Sequence, residues 1–482
     1  MLWSRAMVAP EPPPPPRGAS RRDLIVLLVA ALAVYTANPF GIGLRAVDDC
    51  YYARKGVEMA RSGGFFTVTW NGSPDFLYPP LQFWLLGRSF AWFGENDLAA
   101  RLPSIAQAIG TLAVTYRIGM LTVGGGAAAG AVALLAVSPY FADNARGCMI
   151  EMALAFWVSL VFMVALEGLR RPRAHLLLAL PLGAAILTKS ILGLLPLPVL
   201  GVAAVLSAEL RATLRRPWPW LGVLLGLGLG ASWPVDQWLR FGPAALRAHY
   251  LDNIAALAAR PLGLGQRLIR YPVFLLERFQ PVILPALAGA VPAWRRWRRD
   301  RDSGSLLLIL WVAVPLVLFN LSGTQERRYL FPLFPPLALL AADAFERWRP
   351  GVALVFRRWL APVALGFTAL LFWIWTPGFI NQADPAFAAS RAELQRRIPP
   401  GEPLTYLGSE RGYWPAANPL LYYADRMLER PSASADTAIA RASARRSRLI
   451  LADRVAIEDL HARLGRLQYV TTGIDWVVVE VP

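Results

Sequence analysis

The chain reads as a polytopic α-helical membrane protein with a small soluble α/β domain at its C-terminal end, and three observations predict it. Of 482 residues, 56% are hydrophobic and only 17% charged, with a mean hydropathy of +0.41. A water-soluble fold could not hide that much apolar side chain. The apolar residues also come in runs of about twenty, the length that crosses a bilayer as a helix. Finally, the formal net charge of +17 is carried by short arginine clusters between those runs. This is how cytoplasmic loops look under the positive-inside rule, so the basic balance gives no reason to invoke nucleic acid.

Taken in order, residues 1–23, with the proline run Pro12 to Pro16 and Arg17, Arg21 and Arg22, form an expected disordered cytoplasmic tail without a signal-cleavage pattern. The first span covers about 24–40. The arginine clusters at Arg170 to Arg173, Arg211 to Arg216, Arg295 to Arg301 and Arg347 to Arg358 all fall inside only if Tyr78 to Phe93, interrupted by Arg88, lies along the outer surface. The remaining crossings are then about 102–121, 127–142, 152–168, 176–188, 191–208, 218–238, 272–294, 305–321, 329–345 and 359–377. Eleven spans give a multi-pass protein of the inner (plasma) membrane, N-terminus cytoplasmic and C-terminus outside. The expected membrane domain is 24–380, with a first outer loop at 41–101. In the soluble domain at 381–482, residues 404–409, 448–453 and 476–481 read as strands, and 391–397 and 457–467 as helices. No internal repeat is evident.

Within the first outer loop stands a carboxylate pair, Asp48 and Asp49, directly after the first apolar run. The plain reading is that one of them caps a short amphipathic helix running to about Arg61 and stopped by Gly63 and Gly64. The chemical reading is that a carboxylate at the water–membrane boundary serves as acid or base for a hydroxyl acceptor while a lipid-linked donor lies alongside. The topology gathers other charged residues on the same outer side: Lys55, Glu58, Arg101, Asp143, Arg146, Glu151, Lys189, Arg267, Arg270 and the run Gln325 to Arg328. The inner side is expected to be mostly arginine without carboxylate partners. Lys55 and Lys189 are the chain's two lysines. Lys189, at a span end, reads as a phosphate ligand or as a snorkelling helix-end residue.

Asp48-Asp49-Cys50-Tyr51-Tyr52-Ala53 resembles the start of the first outer loop in polyprenyl-phosphate-dependent glycosyltransferases of the GT-C type, relatives of protein O-mannosyltransferases and lipid A aminoarabinose transferases. The resemblance continues through Tyr78 to Trp84, Phe93-Gly94, Ala100 to Ser104, Ala145-Arg146 followed by Glu151, Leu187 to Lys189 and Arg328 to Pro332. It implies a GT-C-like fold and an inverting transfer of a sugar from a polyprenyl phosphate to an envelope acceptor at the outer face. By residue matching it makes Asp48 the catalytic carboxylate, with Glu151 where the family usually has a second aspartate. Lys189 and Arg328 fall at donor-phosphate positions. Two departures stand out: Leu77-Tyr78-Pro79 replaces the Glu-Lys-Pro of the aminoarabinose transferases, and Glu151 is one methylene longer than aspartate.

The leaving group is an anionic lipid phosphate, so cations at its oxygens would stabilise the transition state. Lys189, Arg328, Arg267 and Arg270 are the candidates, with Asp49, Tyr52, Tyr78, Arg101 and Arg146 as supporting residues. Asp49 reads as a helix cap or as an aid to a cation. His175, His249 and His461 lack ligand spacing and read as structural, and two cysteines make no zinc pattern. A divalent cation shared by Asp48, Glu151 and the phosphate stays open as a cofactor. So does a bridge between Cys50 and Cys148. Expected partners are a polyprenyl-phosphate-linked sugar, membrane lipid and an unidentified acceptor. The competing reading is a lipid-linked saccharide flippase that does no chemistry, which would favour repeated halves and midplane charges.

Overall fold

The structure is a computed structural model and describes residues 21–41, 43–252, 263–321, 325–374 and 383–482. Most of the expected tail lies outside these residues, but Arg21 to Asp23 already open α1 (Arg21–Thr36). The first outer loop folds into α2 (Asp48–Ser62), a two-residue hairpin of β1 (Thr69–Trp70) and β2 (Ser73–Pro74), and α3 (Leu81–Phe93). As expected, α2 stops at Gly63, whose φ of 63° is the left-handed conformation that glycine adopts without a Cβ penalty. α3 is 13 residues, about 20 Å of helix and short of a bilayer crossing.

α4 (Asp97–Thr122) begins where the Asn96 side chain accepts from the Ala99 N–H, and runs 26 residues. α5 (Gly125–Ala136) and α6 (Pro139–Arg146) meet at 66°. The single crossing expected over 127–142 is therefore bent, at Ser138-Pro139, where proline supplies no N–H to continue α5. α7 (Ile150–Arg170) and α8 (Ala179–Lys189) follow. The crossing expected at 272–294 is likewise two helices, Leu264–Arg278 and Ile283–Asp300, bent by 110° around Pro281. By length and apolar character, four described helices suffice to cross a membrane, or up to six if each bent pair is one span.

One large core joins α1, α4, α5 and α7 to the helices Ser303–Leu321 and Phe334–Trp348. Its ends differ chemically. α7 runs from Glu151 to Arg170, and the last helix named runs from the turn holding Arg328 to Arg347. The arginine-rich end is not bare of carboxylates, contrary to expectation: Arg296 and Arg347 share Asp343 at 2.8 and 3.0 Å, and Arg357 meets Glu346 at 2.6 Å. Asp343 is 2% exposed, and guanidinium groups reach it because arginine carries several donors in a planar fork.

Toward the C-terminus a four-stranded sheet forms, in the order β3-β4-β6-β5. β3 (Thr405–Leu407) runs parallel to β4 (Leu449–Asp453); β5 (Gln468–Thr472) and β6 (Trp476–Glu480) add antiparallel neighbours. Three strands lie where the alternation put them. β5 went unread because its Gln-Tyr-Val-Thr-Thr sequence is an exposed edge without a buried face. Helices Arg391–Arg397 and Ile457–Leu464 match their expected places. This unit rests on the first loop: Arg54 donates to the Leu421 carbonyl at 2.9 Å, Asn418 to the Val47 carbonyl at 2.9 Å, and the Trp70 indole to Asn418 at 3.1 Å.

Candidate active site

Four helix ends converge at the pole opposite the arginine clusters. Asp48 is the first residue of α2, Glu151 the second of α7, Lys189 the last of α8, and Arg328 lies in the turn Arg327–Leu333 that opens the Phe334–Trp348 helix. Arg328 grips Asp48 with both arms, Nη1 to Oδ1 at 2.9 Å and Nη2 to Oδ2 at 2.8 Å. This bidentate geometry is among the strongest a guanidinium makes. Beside it, Lys189 Nζ donates to Glu151 Oε1 at 2.8 Å. The two pairs differ in exposure: Asp48 and Arg328 side chains are 26% and 39% exposed, Glu151 and Lys189 only 1% and 7%.

A cavity of about 410 Å³ is lined by Tyr78, Glu151, Lys189 and Arg328, with His249 and Glu326 among the other wall residues. Lys189 is followed by Ser190 at φ 47°, a left-handed backbone uncommon for a non-glycine and of the kind that clusters at functional sites. Ser190 is tied to Tyr250 by a 3.3 Å hydroxyl contact. His249, read as structural from sequence, stands in this wall, its Nδ1 2.7 Å from the Phe76 carbonyl. Burial holds its pKa below the ordinary histidine value.

Neither aspartate caps α2. Val47 before it is in the α conformation without a side-chain cap, and charge-assisted bonds to arginine take the carboxylates instead. Asp49 accepts from Arg45 Nε and Nη2 at 3.1 and 3.0 Å, and Arg45 reaches on to Asp143 at 3.0 Å. Tyr52, one turn from Asp48, packs edge-on against Tyr78 at 5.7 Å between ring centres. Arg101 and Arg146 serve the backbone: Arg101 donates to the carbonyls of Pro39 and Gly43, and Arg146 to those of Val34 and Ala37, fixing the exit of α1. Arg267 and Arg270, expected near the phosphate, do not line the cavity. They lie on the bent helix Leu264–Arg278, where the Arg267 carbonyl accepts from Gln325.

A strut under this wall was not legible from residue spacing. Lys55, wholly buried, lies 3.0 Å from Asp75 and over the Tyr51 ring at 3.9 Å. Asp75 also accepts from the Tyr51 hydroxyl at 2.7 Å and the Leu77 N–H at 2.8 Å. The strut thus ties α2, which bears Asp48, to the segment that bears Tyr78. Cys50 and Cys148 are both buried free thiols in one apolar cluster.

No group of three or more His, Cys, Asp or Glu side chains able to hold an ion occurs among the described residues. Three of the four carboxylate oxygens of Asp48 and Glu151 already face Arg328 or Lys189. The residues present supply cationic side chains where a divalent ion would sit.

This arrangement can be set beside known proteins. Residues 78–233 match the family described as dolichyl-phosphate-mannose-protein mannosyltransferase. The crystal structure of ArnT from Cupriavidus metallidurans bound to undecaprenyl phosphate superposes with a TM-score of 0.71 at 19% identity, over 96% of this chain and 98% of that one. The chain has a GT-C-like helical fold. The archaeal oligosaccharyltransferase AglB from Archaeoglobus fulgidus, in complex with an inhibitory peptide and a dolichol-phosphate, shares this GT-C-like fold at a TM-score of 0.60 and 14% identity, over 92% of this chain and 70% of that one. In sequence, the undecaprenyl phosphate-alpha-4-amino-4-deoxy-L-arabinose arabinosyl transferase 1 of Pseudomonas fluorescens is 28% identical over 372 residues, 72% of this chain and 62% of its own length. The chain thus spans less than two thirds of that relative. The resemblance to polyprenyl-phosphate-dependent glycosyltransferases is borne out by these matches.

Proposed function

We propose that this protein is an inverting membrane glycosyltransferase that moves a sugar from a polyprenyl phosphate to an envelope acceptor at the outer face of the membrane. The single observation that carries the reading is the paired network at one pole: a carboxylate held by Arg328, and a second cation, Lys189, within the same cavity wall. The donor phosphate replaces the carboxylates as partner of Lys189 and Arg328. Released from Arg328, Asp48 takes the proton of the acceptor hydroxyl. The acceptor oxygen bonds to the anomeric carbon, the bond from that carbon to the phosphate oxygen breaks, and the electron pair leaves on the polyprenyl phosphate. Cations at the leaving oxygens match the charge that develops, and losing one well-placed donor typically costs on the order of 10²–10³ in rate. The names of the relatives support a lipid-phosphate donor, and the replacement of Glu-Lys-Pro by Leu77-Tyr78-Pro79 argues against carrying over their acceptor.

Asp48→Asn tests it, because it removes the base and keeps the shape. Expected are a loss of transfer of about 10²-fold or more and retained binding of polyprenyl phosphate. Wild-type turnover by this variant with a competent donor would overturn the mechanism.

A further inference from the structure

Away from the Glu151–Lys189 cavity, α3, α4 and α7 enclose a groove of about 640 Å³ that shares none of its lining residues. Its floor follows from one proline. Pro103, inside α4, has no N–H, so the carbonyl of Ala99 four residues back lacks a helical partner. Ser89 of α3 donates to that carbonyl at 2.6 Å, and the Gln107 amide donates to Gln82 at 2.8 Å. These two bonds clamp the interfacial α3 against the long α4. The walls are aromatic, including Trp84, Trp92 (74% exposed) and Phe156.

Two buried polar atoms in this lining have no partner: Oε1 of Gln107, a residue 5% exposed, and Nε1 of Trp157. An acceptor and a donor left unpaired in an apolar groove cost free energy unless an occupant satisfies them. Arg88 supplies charge. It is exposed, lies over the Trp84 ring at 5.5 Å, and has no carboxylate partner among the described residues.

We propose that this groove binds one anionic glycerophospholipid with a hydroxyl-bearing headgroup, of the phosphatidylglycerol kind. Arg88 pairs with the phosphate, Trp157 donates to an ester carbonyl, and the headgroup hydroxyl donates to Gln107. The acyl chains lie on the tryptophan and phenylalanine wall. Because α3 begins at Leu81, two residues after Pro79 of the other cavity, the bound lipid braces the helix that follows that wall.

Native mass spectrometry of the full chain, released from nanodiscs of phosphatidylglycerol and phosphatidylcholine in equal parts, tests the site. Wild type should keep one phosphatidylglycerol under activation that strips phosphatidylcholine. Arg88→Glu should lower that retention by about tenfold, the scale of one charge-assisted contact. Trp157→Phe, which preserves shape, should lower it in part, and reads the site should Arg88→Glu fail to fold. Lys189→Met combined with Glu151→Leu, which removes the buried pair together, should leave it unchanged, which separates this site from the proposed donor site. Equal retention of the two lipids, retention in Arg88→Glu at the wild-type level, or loss in the Lys189→Met, Glu151→Leu double variant would each overturn the proposal.

Discussion

Lys189 and Glu151 are both almost wholly buried, so each is the other's neutralising partner in a place where an unpaired charge is costly. Removing one partner typically costs about 3–5 kcal/mol, whereas replacing both by apolar groups of similar volume is often neutral. Lys189→Met should therefore lower the melting temperature clearly, and Lys189→Met combined with Glu151→Leu should recover most of it while staying inactive. A double variant no more stable than the single one would show that the pair does not carry this role. Lys55 gives a prediction in pH. Burial lowers its pKa to about 8 against the upward pull of Asp75, and the unfolded value is about 10.4. Between roughly pH 8 and 10 the unfolded chain therefore binds more protons than the folded one, and this group's contribution to stability rises with pH. The strut to Asp75 needs the charge, however, and is lost over the same window. kcat/KM should fall above about pH 8 in wild type, and Lys55→Arg, which stays charged, should push that limb upward; an unshifted limb excludes the strut as its source. At this scale sequence was informative where charge is scarce. Two lysines in an arginine-rich chain and a carboxylate pair after an apolar run singled out residues that each take a charged partner, whereas the place of His249 in the cavity wall and of Arg267 and Arg270 outside its lining was not legible, because nothing local tells which way a loop turns.

Among elements, the crossing of α2 and α3 decides where Asp48 stands, and it depends on two glycines. A Cβ on Gly56 would lie 2.5 Å from the Cβ of Leu86, and one on Gly87 would lie 3.2 Å from the Gly56 carbonyl. The helices meet backbone to backbone, and side chains there must push them apart. Gly56→Val should cost about 1–3 kcal/mol, the usual scale of overpacking, and lower transfer activity by moving α2 relative to Arg328. Ordinary activity and thermal stability in that variant would mean the crossing yields without displacing Asp48. Helix existence was legible from apolar runs and their stops, such as Gly63. The bends at Ser138 and around Pro281 were not, since a proline inside an apolar run permits either a kink or a full break, and tertiary packing chooses between them.

Across the whole molecule, helices are the ruler. α7 carries Glu151 at one end and Arg170 at the other, and its 21 residues span about 30 Å, the thickness of a hydrocarbon core. The helix reached through Arg328 ends at Arg347 in the same sense. Clustered arginine at one pole and mixed charge at the other is what orientation by the positive-inside rule leaves behind, and we predict from it that the site pole faces outside and the arginine pole inside. The C-terminal sheet must follow the site. Arg54 of α2 bonds Asp425 at 2.5 Å, and Asn418 bonds the backbone just before Asp48, so the sheet and the first loop share one side of the membrane. Cysteine labelling reads this directly, because Cys50 and Cys148 are 0% and 1% exposed and give little background. Val455→Cys, at a position 90% exposed beside β4, should react with an impermeant maleimide added to intact cells, and Arg298→Cys, at the far end of the Ile283–Asp300 helix, should react only after the membrane is opened. Reaction of the Arg298→Cys probe from outside would invert the orientation, and with it the side on which the donor lipid must be presented.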